Sequence, residues 1–163
     1  MLPDRLAQGL DVVFCGTAAS HKSAQRGHYY AGPGNRFWPL LAETGLTPQL
    51  FAPEDDALLP GLGIGLTDLA KGVSGMDRDI PSAAYAPKAL AALIAKMRPK
   101  RLAFTSLTAA KIALGARHPA GRAQSPLFPG LPLWVLPSPS GAARATFSAA
   151  PWHDLARHIR EAR

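Results

Sequence analysis

Cysteine is nearly absent: Cys15 is the only one among 163 residues. No disulfide can close within the chain, which excludes a disulfide scaffold and makes a reducing cytoplasm the expected compartment. Clustered metal ligands are missing too. The five histidines, His21, His28, His118, His153 and His158, have no cysteine at zinc-ligand spacing, so neither a metal site nor a cofactor is expected. Apolar runs are short, and none reaches the ~20 residues of a membrane-spanning helix. The first ten residues include Asp4 and Arg5 and hold no apolar core of signal-peptide length. Repeats, low-complexity tracts and linkers are lacking, so a single domain over residues 1–163 is expected, with 47% apolar residues to build its core. Acidic residues are scarce, 11 against 18 Lys and Arg, a net charge of +7 and a pI near 10.1. That excess points to a polyanionic partner, nucleic acid ahead of an anionic membrane surface.

The periodicity alternates between strand and helix. Asp11–Cys15 is β-branched-rich and apolar on both faces, as in a buried strand, with Cys15 a buried thiol. A long loop to Gly34 follows. Residues 35–44 read as a helix, with Asn35 a candidate N-cap and Gly45 a stop. Residues 46–60 read as connection with Asp55 and Asp56 exposed. Residues 63–69, 101–105 and 131–137 read as three further strands. Leu90, Leu93, Ile94 and Met97 form an apolar helical stripe within residues 86–97, and shorter helices are expected at 109–115 and 152–161. Residues 116–129 read as Pro-rich connection. The expected fold is α/β with a short, mostly parallel four-stranded sheet covered on both sides. Ligands of such sheets bind beyond the strands' carboxyl ends. Gly16-Thr17, Thr67-Asp68 and Ser138–Ser140 fall there.

Three stretches carry candidate chemistry. The first is Gly27-His28-Tyr29-Tyr30-Ala31-Gly32-Pro33-Gly34-Asn35-Arg36-Phe37-Trp38. Tyr30 offers a face for stacking, Asn35 a donor and an acceptor for a base edge, and the glycines allow close backbone approach. Phe37 and Trp38 read as core anchors. The second is Ser138-Pro139-Ser140-Gly141-Ala142-Ala143-Arg144, whose hydroxyls, amide groups and Arg144 suit phosphates, although an ordinary strand-to-helix turn with Ser caps has the same composition. The third is Asp68, a carboxylate at a strand end that can hold water, receive a base N–H or cap the next helix. Gly16-Thr17-Ala18-Ala19-Ser20 lacks the glycine spacing and Lys of a nucleotide-phosphate loop, and no Gly-x-Ser-x-Gly elbow supports a hydrolase nucleophile.

In order and spacing these residues resemble the mismatch-specific uracil/thymine DNA glycosylases of the uracil-DNA glycosylase superfamily. The likeness runs from Val12 to Arg144. It is carried by Val12-Val13-Phe14-Cys15-Gly16, the aromatic loop, Leu59-Pro60-Gly61 with Gly63–Asp68, and Leu136-Pro137-Ser138-Pro139-Ser140-Gly141. The resemblance implies a three-layer α/β/α sandwich that acts without metal on uracil-containing DNA, duplex ahead of single strand; no stretch of the sequence signals an oligomer interface, so a monomer is expected. The base is flipped into a pocket and water attacks the sugar C1′. By matching position, Tyr30 would stack on the base and backbone at Gly16 and Thr17 would meet its edge. Ser138 and Ser140, with Gly141, would hold flanking phosphates, and Arg144 lies where relatives enter the duplex.

One departure from the family stands out. The family's first motif is Gly-Ile-Asn-Pro-Gly, and its Asn positions the attacking water; here Ala18 occupies that place. Three outcomes are open: a silent binder of damaged or abasic DNA, a slower enzyme relying on the DNA's own phosphates, or a transfer of the role to another residue. Asp68 is the candidate for the transfer, although relatives place a base-contacting residue, often Asn, at its position. Thr17 and Ser20 are the fallbacks. A small-molecule hydrolase or nucleotide-binding module is the remaining alternative. The bulky wedge of the second motif is also reduced, with Ala142 and Ala143 in its place.

Overall fold

A computed structural model describes residues 2–163, apart from the side chain of Thr146. Five strands form one sheet: β1 (Val12–Gly16), β2 (Ile64–Asp68), β3 (Leu102–Phe104), β4 (Gly121–Ala123) and β5 (Leu133–Val135), in the order β2-β1-β3-β5-β4. All pairs are parallel except β4 with β5. The helices are α1 (His21–Arg26), α2 (Phe37–Glu43), α3 (Pro87–Met97), α4 (Leu107–Leu114) and α5 (Ala150–Glu161), joined by 3-10 segments at Pro53–Leu62, Asp77–Asp79, Ser82–Ala84 and Gly141–Thr146.

Alternation along the strands builds the three layers, because successive side chains point to opposite faces of the sheet. Val12 and Phe14, with Ala103 and Trp134, join a core with α2, α5 and the 53–62 segment. Val13 and Cys15, with Leu102, Phe104, Leu133 and Val135, join a second core with α3 and α4. The first core centres on aromatics: Phe14 lies 5.4 Å from Phe37 edge to face and 5.7 Å from Trp152 in a stack. Each such buried ring contributes roughly 2–3 kcal/mol. Phe37 and Trp38 are the anchors expected of them.

The sheet has five strands rather than the expected four. β4, Gly-Arg-Ala, carries no apolar run and lies within the expected connection. It is a short antiparallel edge whose Arg122 guanidinium sits 5.2 Å over the Trp134 ring, a charged edge of the kind that blocks further strand pairing. The 17–34 loop contains α1, capped by Ser20, whose Oγ accepts the Ser23 N–H at 3.1 Å, and closed by Gly27 at φ 77°. Without an apolar stripe, this helix left no periodic signal. α4 starts two residues before the expected boundary because Ser106 caps it, accepting the Ala109 N–H at 2.9 Å. Asp56, expected exposed, is fully buried: the 53–62 segment turns it inward beneath the aromatic loop.

Candidate active site

β1 feeds α2 on one face of the sheet, whereas β3 feeds α4 on the other. The connections beyond their carboxyl ends therefore leave toward opposite faces and open a crevice, the topological switch point of a doubly wound sheet. A cavity of about 670 Å3 occupies it. Its walls come from the residues after β1 (Gly16–Ser20), the end of β2 (Asp68), the 75–78 turn, the start of α4, the aromatic loop (Tyr29, Tyr30, Asn35) and the segment after β5.

Gly16 marks the convergence of the polar groups. A Cβ placed on it would stand 2.8 Å from Asp68 Oδ1, 3.3 Å from Thr105 Oγ1 and 3.4 Å from the Tyr30 hydroxyl. The missing side chain is thus a requirement of packing: three oxygens crowd the space it would fill. Asp68 is 9% exposed. Lys71 is nearby but bonded elsewhere, through Nζ to Asp4 Oδ1 at 2.7 Å, Thr67 Oγ1 at 2.9 Å and the Asp68 backbone carbonyl at 3.0 Å. Among the described residues no Lys, Arg or His forms an ion pair with the Asp68 carboxylate. Burial lifts this carboxyl to about 7 against the opposing pull of the Lys71 charge; the Asp4 charge adds to the rise and a backbone hydrogen bond from Gly16 opposes it. A carboxyl that ionises near neutral pH can accept a proton from a bound water.

The aromatic loop is held from below. Tyr30 adopts φ 53°, the left-handed region that non-glycine residues rarely occupy. Its ring stacks on Phe37 at 4.0 Å, and its hydroxyl lies 3.0 Å from Thr105 Oγ1. Neighbouring backbone is tied down: Ala31 N–H donates to Ser23 Oγ at 2.9 Å and Tyr29 N–H to Asp56 Oδ2 at 3.1 Å. Asp56 also meets His28 Nδ1 at 3.2 Å and the Arg5 guanidinium at 3.1 Å. Such local strain persists only where its surroundings over-determine it, and it concentrates at functional sites.

Asn35 lines the cavity, but its Oδ1 already accepts the Phe37 N–H at 2.9 Å at the start of α2. Its acceptor is thus engaged by the backbone at the helix start. The second motif has a similar double character. Ser138 Oγ accepts the Ser140 N–H and Ser140 Oγ the Ala142 N–H, both at 3.2 Å, so both serines cap turns while lining the cavity. Gly141 packs on the aromatic loop: a Cβ there would lie 3.3 Å from the Pro33 carbonyl. Pro139 O accepts the Arg36 N–H at 2.8 Å, joining the two motifs. Arg144 is exposed beside the cavity near Gly34 and does not line it.

The cavity therefore brings together Gly16, Thr17, Ala18, Tyr30, Asn35, Asp68, Ser138 and Ser140, with Gly141 and Arg144 alongside. The fallback hydroxyls are engaged: Thr17 Oγ1 donates to Asp77 Oδ1 at 2.6 Å, and Ser20 Oγ donates to Ser23 Oγ at 3.0 Å. Sequence reading overlooked Thr105, whose signal was available: Phe104-Thr105-Ser106 is a fourth polar strand end. It also overlooked Asp56, for which acidic residues in a Pro-containing connection gave no sign of burial. Among the described residues no group of three or more His, Cys, Asp or Glu is placed to hold a metal ion.

Comparison with known proteins bears on the family and the fold. The family model described as the uracil DNA glycosylase superfamily matches residues 3–157. The chain belongs to that superfamily. A solved relative, the solution NMR structure of a "putative Uracil DNA glycosylase" from Methanosarcina acetivorans, superposes with a TM-score of 0.66 over 98% of this chain and 96% of its own, at 22% identity. That likeness establishes the shared α/β fold. In this superfamily member the switch-point cavity is lined at position 18 by an alanine.

Proposed function

We propose that the protein is a monofunctional uracil-DNA glycosylase, nearest to the mismatch-specific group, with Asp68 in the water-activating role. The observation that carries this reading is the Asp68 carboxylate: buried in the cavity lining, paired with no cation among the described residues, and facing the Gly16 gap beside two hydroxyls. An extruded uracil stacks on Tyr30, with its edge toward the Gly16–Thr17 backbone and the Asn35 amide. Ser138, Ser140 and Arg144 meet the flanking DNA backbone, and the +7 charge strengthens that contact. Ionised Asp68 holds a water below C1′. The C1′–N1 bond breaks with its electron pair leaving on uracil, and the water oxygen bonds to C1′. The water's proton passes to Asp68, and the uracil anion takes a proton as it departs. The carboxylate also stabilises the positive charge that develops on the sugar, where low dielectric makes it count. We place this activity in a cytoplasmic, single-domain monomer.

Ala18 favours one other reading, a protein that binds uracil-containing or abasic DNA without cleaving it. Incubation with a labelled duplex holding one uracil opposite guanine, followed by alkali, separates the two. Strand cleavage at the uracil supports the glycosylase. An intact strand with a retarded complex on a gel supports the binder. Neither cleavage nor binding refutes both.

A further inference from the structure

The second motif leaves a deficit at the cavity mouth. Extruding a nucleotide opens a gap in the base stack, and proteins that distort DNA commonly fill such gaps with an apolar side chain. Of the segment after Ser140 only Ala142 and Ala143 line the cavity, and neither extends past a methyl group; Arg144 stands beside it and offers a charge for the DNA backbone, not an apolar face. Bulk is available elsewhere on the same mouth. Of the large apolar side chains that the described residues leave exposed, Leu50, Leu58, Met76 and Leu107, two line this cavity: Leu107, 45% exposed, and Met76, 48% exposed.

Leu107 is the better placed. It opens α4, directly after the Ser106 cap, and stands two residues from Thr105, whose hydroxyl meets Tyr30 at the floor. Its backbone is thereby fixed to the same element that helps position the base-stacking ring. Half of its side chain projects to solvent, where a core leucine would be covered. A single exposed leucine is ordinary on a protein surface; what sets this one apart is its place in the lining of the cavity. A base stack laid across the mouth would cover it.

On the glycosylase reading, we propose that Leu107 is the wedge that enters the duplex beside the extruded nucleotide, taking over the role that the reduced second motif has given up. Met76, in the turn fixed by the Thr17–Asp77 hydrogen bond, is the second apolar contact on the stack. A wedge acts only where a stack must be opened. Its loss is therefore felt on duplex substrate and not on single strands.

The test is excision kinetics for the wild type, Leu107→Ala, Leu107→Met and Met76→Ala on uracil in duplex and in single-stranded DNA. We expect Leu107→Ala to lower kcat/KM on duplex by about ten-fold or more while single-strand excision stays within about two-fold, because the unstacking of a few kcal/mol goes uncompensated only in the duplex. Leu107→Met should restore most of the duplex rate, and Met76→Ala should show a smaller duplex-only loss. Equal losses on both substrates, or none on either, overturn the proposal. If the wild type excises uracil from neither substrate, the glycosylase reading has failed, and the wedge is judged by 2-aminopurine placed next to the uracil. A fluorescence rise on binding that Leu107→Ala abolishes supports it; an equal rise with both proteins overturns it.

Discussion

Replacing Asp68 by Asn should make the protein more stable and much less active. The folded protein raises the Asp68 carboxyl from its ordinary 3.8 to about 7, chiefly by burial. A folded-state value above the unfolded one means that the native protein binds a proton which the unfolded chain has already released. Stability contributed by this group is therefore highest at low pH, falls as pH rises from about 4 to about 7, and is level above that. With about 1.4 kcal/mol for each pH unit in that window, ionised Asp68 costs the fold about 4 kcal/mol at pH 8. Asn fills the same volume without ionising. Urea denaturation should accordingly show Asp68→Asn more stable than the wild type at pH 8 by an amount on the order of 4 kcal/mol, shrinking to roughly 1–2 kcal/mol at pH 5. Excision should move the opposite way: the wild-type rate climbs with pH through about 7 and levels off, and the variant loses about 100-fold or more on that plateau, a deficit that shrinks toward pH 5 as Asp68 of the wild type takes up its proton. A variant that keeps its rate within a few-fold, with an unchanged pH profile, would remove Asp68 from the chemistry. A variant no more stable at pH 8 than at pH 5, relative to wild type, would refute the burial argument itself.

Gly16→Ala places a methyl group 2.8 Å from Asp68 Oδ1; excision should fall sharply while thermal denaturation shows a loss of roughly 1–3 kcal/mol, typical of overpacking. Tyr30→Phe keeps the stacking face and loses the 3.0 Å contact with Thr105, so stability measured in urea should fall by about 1 kcal/mol, whereas Tyr30→Ala should abolish excision. Asp56→Ala leaves Arg5 and His28 without their buried partner and the Tyr29 N–H unsatisfied; chemical denaturation should report a loss of about 3 kcal/mol or more. Affinity for duplex DNA, measured by anisotropy in a salt series, should fall linearly on logarithmic axes with a slope of several units, as phosphate contacts require; a flat response would exclude DNA as the partner.

Much of this was legible from the chain because the central strands are apolar on both faces and end in polar residues. β1, β2, β3 and β5 all announce themselves in this way, and the rule that ligands gather at strand ends assembled Gly16, Asp68 and the Ser138–Ser140 segment before any coordinates. β4 was hidden because an edge strand of Gly, Arg and Ala needs no hydrophobic pattern. α1 was hidden because six residues held by caps carry no stripe. Asp56 was misread as exposed because charge in a connecting segment ordinarily means solvent, and only the three-dimensional path of the 53–62 turn brings Arg5 and His28 to it. Asn35 shows the limit of reading side-chain type alone: the same amide that suits a base edge also suits a helix start, and its acceptor does the latter.

On the proposed mechanism the activating group sits on a strand and not in a loop, which alters how the site is held. Residue 18 lies in an irregular segment, while Asp68 closes β2, its Cα paired with Gly16, and the chain beyond it stays in the ladder through Leu69 N–H to Gly16 O at 2.9 Å and Ala70 N–H to Thr17 O at 2.8 Å. A group fixed on a sheet needs little reorganisation when charge develops, which is what electrostatic stabilisation demands. The same placement forces the carboxylate out of water and makes it destabilising when ionised. Asp56 is the converse: more deeply buried, ion-paired with Arg5, in contact with His28 and the Tyr29 N–H, outside the cavity, and holding the strained Tyr30 loop in place. The two aspartates should therefore separate when stability is plotted against activity. Asp68→Asn moves to higher stability and lower rate, and Asp56→Ala moves to lower stability and lower rate. If both variants fell on one line of declining stability, Asp68 would be a structural residue and the carboxylate at the cavity floor would have no part in the reaction.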